Sequence, residues 1–431
     1  MFGESEDERG AGISRRAFLT GACVTGAAAM VGGLNACAPP QDAGPGGAGG
    51  TGSGANGGAV PVSKAPSKVD DYRVGLFPTF HWFKDGKAAV GYVEPMKARL
   101  EELSVQLHLK TAVNGLVMKN GRVIGAYADG GEGVVRYSAK AVVLATGGFG
   151  GNEEIVAEQG WNTDGMRIVG SPNAAGDGYR IAMDNGACSF MADSAQSILY
   201  AIEAFPPIDF HDAAENPLYG YFGIASGGPV LWVNEACRRY TREDLANDNL
   251  ALQCLPGKGN KGNYVVFDQA IFDRFFGKND DAKKAFYDAI KANGGGSIYQ
   301  SDSLADLAGR FNLDADALKA AVDRYNELCG EGADSDFGKA AGLMVPIETP
   351  PFYLAKLSYN YFFSVGGITT DGRHRVLDGR RNPIEGLYAI GNDGNMLYRN
   401  VYTVNMPGVA FGHQVNSGRE AANAVLEYLD R

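Results

Sequence analysis

Little in this chain of 431 residues can hold a metal or a redox cluster. Its six cysteines form neither C-x-x-C nor C-x-x-C-H, and Cys188, Cys237, Cys254 and Cys329 are scattered. The five histidines lie far apart, so no metal site is expected. Basic charge is also short: 39 Lys and Arg against 50 Asp and Glu leave a net −11, which argues against a nucleic-acid partner. No apolar run is long enough to span a membrane; residues 20–33 are too short and too rich in Ala and Gly. What is plentiful is glycine, with 61 residues. Part of it forms a Gly/Ala/Pro/Ser spacer over residues 38–68. In that spacer GAGGTG (47–52) and GSGANG (52–57) match G-x-G-x-x-G, but no apolar strand precedes them, and the motif has meaning only after one.

The N-terminus is distinctive. Ser14-Arg15-Arg16-Ala17-Phe18-Leu19 reads as a twin-arginine export signal, and Leu34-Asn35-Ala36-Cys37 resembles a lipoprotein processing site. Residues 1–37 are therefore expected to be a signal peptide. The protein is expected in the cell envelope of a bacterium, lipid-anchored through Cys37 on the outer face of the cytoplasmic membrane.

The chain is organised around AVVLATGGFGGNEE, residues 141–154. Val142-Val143-Leu144 is a short continuous apolar run, the pattern of a strand buried in a parallel sheet. Thr146-Gly147-Gly148 ends it where open α/β sheets bind their ligands. GLVMK (115–119) and RVIGAYA (122–128) flank Asn120-Gly121, a strong hairpin signal, and VVRYSA (134–139) makes a third strand. Before this meander the spacing predicts a helix over 93–107, with Val93, Met96, Leu100, Leu103 and Leu107 on its buried face, then a strand over 108–113. Downstream, YVVFDQA (264–270) reads as a strand, and 301–311 and 314–329 read as amphipathic helices. The segment 351–372 carries Gly366-Gly367, GLYAIGND (386–393) is a second buried strand ending in glycine, and a last helix runs from Pro407 to Leu429.

A β-meander feeding a parallel strand that ends in ATGG resembles the FAD-binding domain of the fumarate reductase/succinate dehydrogenase flavoproteins, and the C-terminal glycine segments carry the same resemblance. It implies an α/β fold: a glutathione-reductase-like FAD-binding domain over 69–190 and 345–431, and an inserted α+β capping domain over 191–344. The family's opening βαβ unit, with its pyrophosphate-binding turn and ribose-binding acid, is not read in this sequence, so the FAD domain is expected to be incomplete at its N-terminus.

The resemblance implies FAD as cofactor. It implies Ala145, Thr146, Gly147 and Gly148 behind it, Gly366 and Gly367 against the ring system, and Gly391 and Asn392 near the ribityl chain, where the family often has an acidic residue. It also implies a last-helix start at Pro407, Gly408 and Val409, aimed at the pyrimidine edge, where a helix N-terminus stabilises negative charge. Asp177 is expected as a capping carboxylate of the helix opened by Gly176, with cofactor contact as the alternative. In the substrate pocket the sequence departs from the family. Asn247 aligns with its proton-donating arginine, Phe362 and Phe363 with its histidine pair, and Asn405 with its carboxylate-clamping arginine. An apolar, uncharged pocket would desolvate a dicarboxylate without a partner, so a less charged substrate with an activated double bond is expected. Arg242, Glu243 and Tyr402 are the leading candidates for proton transfer, with Tyr361 and Arg399 behind them. Export implies an external electron donor, a cytochrome or a membrane quinol system. Two readings stand beside the enzyme: a degenerate flavoprotein fragment, or a protein whose missing unit comes from a separate chain.

Overall fold

The computed structural model describes residues 90–131, 133–190, 197–205, 224–225, 227–248, 252–277, 279–398, 402 and 409–430. The export signal, the spacer, Arg399, Asn405, Pro407 and Gly408 lie outside the described residues.

Helix α1 (Val90–Glu102) leads to the meander β1 (Ala112–Lys119), β2 (Arg122–Gly130) and β3 (Gly133–Ser138), then to β4 (Val142–Leu144). The β1–β2 hairpin turns at Asn120 and Gly121, both left-handed at φ 51° and 76°, as a two-residue hairpin loop of this type requires. Helix α2 (Glu153–Glu158), β5 (Arg167–Ile168), α3 (Asp177–Asp184), β6 (Ser189–Phe190) and β7 (Ser197–Ile202) follow. Next come β8 (Leu231–Asn234), α4 (Leu245–Asp248), β9 (Asn263–Asp268), α5 (Gln269–Phe276), α6 (Asp280–Asn293) and β10 (Ile298–Ser301). Helices α7 (Leu304–Arg310) and α8 (Ala315–Glu331) precede β11 (Phe352–Phe363), β12 (Gly366–Ile368), β13 (Arg375–Leu377), β14 (Pro383–Ala389) and β15 (Gly394–Asn395). Helix α9 (Val409–Leu429) is last.

Two six-stranded sheets divide the molecule. In the first, β4 pairs in parallel with β14, Val142 to Leu144 facing Leu387 to Ala389, and the antiparallel meander joins through β2. One face of the β4–β14 pair packs Leu144, Leu387 and Ala389 against Ile181 and Ala182 of α3 and Leu116 and Val123 of the meander. On the other, the Tyr388 hydroxyl donates to the Ala424 carbonyl of α9. The second sheet runs β10-β11-β9-β8, with β5 and β7 also on β11, and holds the larger core, including Trp232, Phe267, Phe272, Phe286 and Tyr353.

Helices α7 and α8 form where their patterns place them, capped by the side chains of Ser303 and Asp314, with Leu318, Val322, Tyr325 and Leu328 of α8 buried. Two expectations need correction. Helix α1 stops at Glu102, and among the described residues its Val93 and Met96 face solvent, at 47% and 59% exposure. The strand expected over 108–113 begins only at Ala112. Strand β11, twelve residues long and buried on both faces over most of its length, is the spine of the second sheet and pairs there with β5 and β7 from earlier in the chain.

Candidate functional site

Because β4 and β14 are parallel neighbours, their carboxyl ends open side by side, and each ends in glycine. Ala145 and Thr146 are exposed there, and Gly147 (φ 93°), Gly148 (φ 82°) and Gly391 (φ 56°) take backbone conformations that favour glycine. A Cβ at Gly147 would meet only the Ala174 side chain, at 3.7 Å, and one at Gly391 only Gln414, at 3.6 Å. The two loops thus leave room beside their backbones.

What fixes their spacing is Asp393, 1% exposed. Its carboxylate accepts from the Thr146 N–H, from the Thr146 hydroxyl at 2.9 Å and from the Gly148 N–H at 3.0 Å. The Thr146 hydroxyl in turn accepts from the Gly178 N–H at 3.1 Å, which ties in the start of α3. The Asp393 carbonyl accepts from the Ile368 N–H at 2.7 Å, and a Cβ at Gly367 would stand 2.4 Å from that oxygen. The segments carrying Gly147-Gly148, Gly178, Gly367 and Gly391 therefore meet at one residue. Burial raises the Asp393 pKa, and the bonds from Thr146 and Gly148 pull against it.

Helix α9 braces the second loop. Ser417 accepts from the Gly391 N–H at 3.0 Å, the His413 ring Nε2 lies 3.2 Å from the Gly391 carbonyl, and Gln414 reaches the Asn392 side chain at 3.4 Å. Burial lowers the His413 pKa and the Gly391 contact partly offsets this.

Several expected site residues take other places. Gly366 and Gly367 are buried in β12 between β15 and β6, and Gly367 is a close-packing glycine against the Asp393 backbone. Asp177 is exposed in the first turn of α3 and is not its cap, since Gly176 occupies that position without a side-chain bond. Asn392 is half-buried, its side chain reached by Gln414, and its acidic neighbour Asp393 points inward to Thr146 and Gly148. Asp393 is the residue that sequence reasoning missed; an acidic group one position beyond Gly391-Asn392 was the available signal. Asn247 lies in α4, and Val409 opens the described part of α9, half-buried.

Glu243 is the clearest correction. It is fully buried and its carboxylate is held by Arg239 at 2.9 Å, by Lys339 at 3.1 Å and by the Trp232 N–H at 3.2 Å. Arg239 also binds Asp334 at 2.7 Å, and Lys339 donates to the Val230 carbonyl at 2.6 Å and the Tyr325 hydroxyl at 2.9 Å. Burial lowers the Lys339 pKa and Glu243 works against it. A carboxylate shared between two buried cations anchors the second domain and is not poised to hand a proton to a ligand. Its neighbour Arg242 is part-exposed, 3.6 Å from Asp244.

Aromatic rings gather where β11 returns to the first domain. Tyr361 and Phe363 lie over Gly150, whose Cβ position is 3.0 Å from the Tyr361 ring and 3.3 Å from the Phe363 Cα. The Phe363 ring meets Tyr402 edge-on at 4.9 Å, and Tyr402 meets Tyr398 at 5.0 Å. Tyr361 and Tyr398 are buried, their hydroxyls form no hydrogen bond among the described residues, and burial raises both pKa values. Phe362 extends the same strand, half-buried.

The FAD binding domain family matches residues 79–404. The chain is similar to vinyl phenol reductase of Lactiplantibacillus plantarum (strain ATCC BAA-793 / NCIMB 8826 / WCFS1), 26% identical over 81% of this chain and 73% of that protein. It is similar to 3-oxosteroid 1-dehydrogenase of Mycobacterium tuberculosis (strain ATCC 25618 / H37Rv), 27% identical over 78% of this chain and 62% of that protein. Its fold is similar to the open conformation of a flavocytochrome c3 fumarate reductase, with a TM-score of 0.51 and 24% identity over 81% of this chain and 57% of that one. It thus spans less than two thirds of the last two. The room beside the backbones of Gly147 and Gly391 suits the close approach of a flat dinucleotide ligand, while buried Gly148 packs against Ser364 and Asn392 and holds the two loops together. With three quarters of its length matched and its crevice of the right kind, the chain belongs to the FAD binding domain family, and its cofactor is FAD.

Proposed function

We propose that this FAD-dependent oxidoreductase reduces an activated carbon–carbon double bond in a small molecule that is not a dicarboxylate. The observation that carries the reading is the aromatic wall of Phe363, Tyr402 and Tyr398 beside the cofactor loops. Such a wall receives a ring well, whereas two carboxylates would lose their hydration against its phenyl and phenol faces. Two relatives bear names with uncharged oxygens, a vinyl phenol and a 3-oxosteroid, which supports a phenolic or keto-bearing substrate. The bound flavin supplies the hydride to carbon. This chain supplies the wall that orients the ring and a proton for the adjacent carbon. Tyr402, Tyr398 and Arg242 are the groups offered for that proton. A phenol kept protonated by burial still loses its proton readily to a carbanion, a far stronger base.

The twin-arginine segment supports export to the cell envelope, where a cytochrome or membrane quinol would supply electrons in place of a nicotinamide pool. A second reading, in which a separate polypeptide completes the cofactor site, is supported by the pairing of β4 with β14 alone among the described residues.

The test is a turnover comparison with the flavin-loaded protein, reduced by a viologen dye. Reoxidation by 4-vinylphenol or a cyclic enone is expected to outpace that by fumarate by roughly tenfold or more, the equivalent of about 1.4 kcal/mol. Equal rates with fumarate overturn the reading.

A further inference from the structure

One face of β11 buries polar atoms that the fold leaves unserved. Tyr359 and Tyr361 turn to the second-domain core, where Tyr359 stacks on Tyr200 at 5.5 Å and meets Trp161 edge-on at 5.3 Å. Ser358 and Asn360 alternate with them and so lie on the opposite face. Both are interior, at 1% and 0% exposure. Yet the Ser358 hydroxyl, and both the oxygen and the nitrogen of the Asn360 amide, have no hydrogen-bond partner among the described residues. The strand neighbours of Asn360 do not serve it. Leu199 of β7 has no polar side-chain atom, and Arg167 of β5 donates to the carbonyls of Glu203 and Phe205. Such atoms are costly to bury unless something else completes them.

A bulge brings this face to the aromatic wall. Tyr361 and Phe363 pair with consecutive positions of β7, 198 and 197, so Phe362 is an extra residue and the alternation shifts by one. Phe363 therefore shares the face of Asn360, two steps or roughly 7 Å along β7 from it. There its ring meets Tyr402. Ser364, next in the chain, accepts from the Phe149 N–H at 3.1 Å, so the Phe363 end of the face is the cofactor end.

We propose that the Asn360 amide recognises the oxygen of a ring-bearing substrate; this rests on the substrate reading above. The ring lies against Phe363 and Tyr402, with its double bond toward the cofactor loops and its oxygen toward Asn360. A carboxamide suits either kind of oxygen: Oδ1 accepts from a phenol hydroxyl, and Nδ2 donates to a keto group. Because the amide is fully buried, its bonds to the ligand form away from water, and a ring without the oxygen leaves those atoms unserved. Ser358, the next residue on the same face, offers a second hydroxyl beyond the amide.

The experiment titrates the flavin-loaded protein with 4-ethylphenol, 4-ethylcyclohexanone and ethylbenzene, read by calorimetry and by perturbation of the flavin absorbance. The unaltered protein is expected to bind each oxygenated probe roughly tenfold or more tightly than ethylbenzene. Asn360→Leu, close in volume, should erase that preference by weakening the oxygenated probes while leaving ethylbenzene unchanged. Its melting temperature should not fall, since the variant removes polar atoms that had no partner. Asn360→Ala, which adds no bulk, should lose the preference in the same way. The proposal is overturned if the unaltered protein shows no preference or binds neither oxygenated probe. It is equally overturned if the variants keep the preference and lose melting temperature instead, the mark of a structural water held between Ser358 and Asn360. Reduction of 4-vinylphenol by Asn360→Leu at an unchanged kcat/KM removes Asn360 and leaves the reductase reading standing. An oxygen preference that depends on Asn360, in a protein that reduces no double bond, supports the recognition and removes the reductase reading instead.

Discussion

A single carboxylate, that of Asp393, holds the two cofactor loops at their spacing. Three donors from Thr146 and Gly148 replace the water that its charge would otherwise hold. Asp393→Asn turns an amide donor toward groups that already donate. Hydrogen bonds to a charged group contribute about 1.5–3 kcal/mol, so FAD affinity should fall by roughly one to two orders of magnitude, read by flavin fluorescence titration. An affinity unchanged within twofold would show that the loops hold themselves. This residue was barely legible in the sequence. An acidic side chain after Gly391-Asn392 is visible, but nothing local says that it turns inward to serve Thr146, 247 positions away. The same blindness made Glu243 look like a candidate for proton transfer beside Arg242, when it is interior and Arg242 part-exposed.

At the scale of elements, α9 matters through one face. Ser417 is 1% exposed and accepts from Gly391 while donating to the Gln414 carbonyl at 3.0 Å, so it couples the helix to the loop. Ser417→Ala leaves the Gly391 N–H without that partner and should cost about 1 kcal/mol. That corresponds to roughly fivefold weaker FAD binding with little change in far-UV circular dichroism. Elements whose boundaries are set locally were readable in advance: the Asn120-Gly121 hairpin, and α7 and α8 with their Ser303 and Asp314 caps. Helix α1 was read too long and with a buried face, because periodicity shows which residues share a side but not whether anything packs there. Likewise the apolar run of β11 announced a buried strand without naming its sheet.

Across the whole molecule, the second domain is knotted by charge at its interior. Asp334, Arg239, Glu243 and Lys339 join the segment before α4, the turn after α8 and the start of β8. For Asp334, burial pushes the pKa up, but Arg239 and the N–H groups of Lys339 and Phe337 prevail and hold it at about 2, against an ordinary 3.8. A carboxyl depressed on folding stabilises above its unfolded pKa and loses that contribution as the pH falls through the folded value. Stability should therefore be level above about pH 4 and decline toward pH 2, and Asp334→Ala should flatten that limb. The variant leaves Arg239 and its neighbours short of a buried countercharge and should lose about 3–5 kcal/mol at pH 7, measured by urea unfolding. A loss below 1 kcal/mol would mean the knot is dispensable.

By itself the sequence determined the kind of protein: two apolar strands ending in glycine, a meander before the first and helical caps around an insertion are local patterns, written in residues close together in the chain. Only the tertiary structure decided that β4 and β14 stand side by side, that Asp393 is where the glycine segments converge, and that Glu243 is interior. These depend on contacts between residues hundreds of positions apart, and no local periodicity encodes which distant group a side chain will meet.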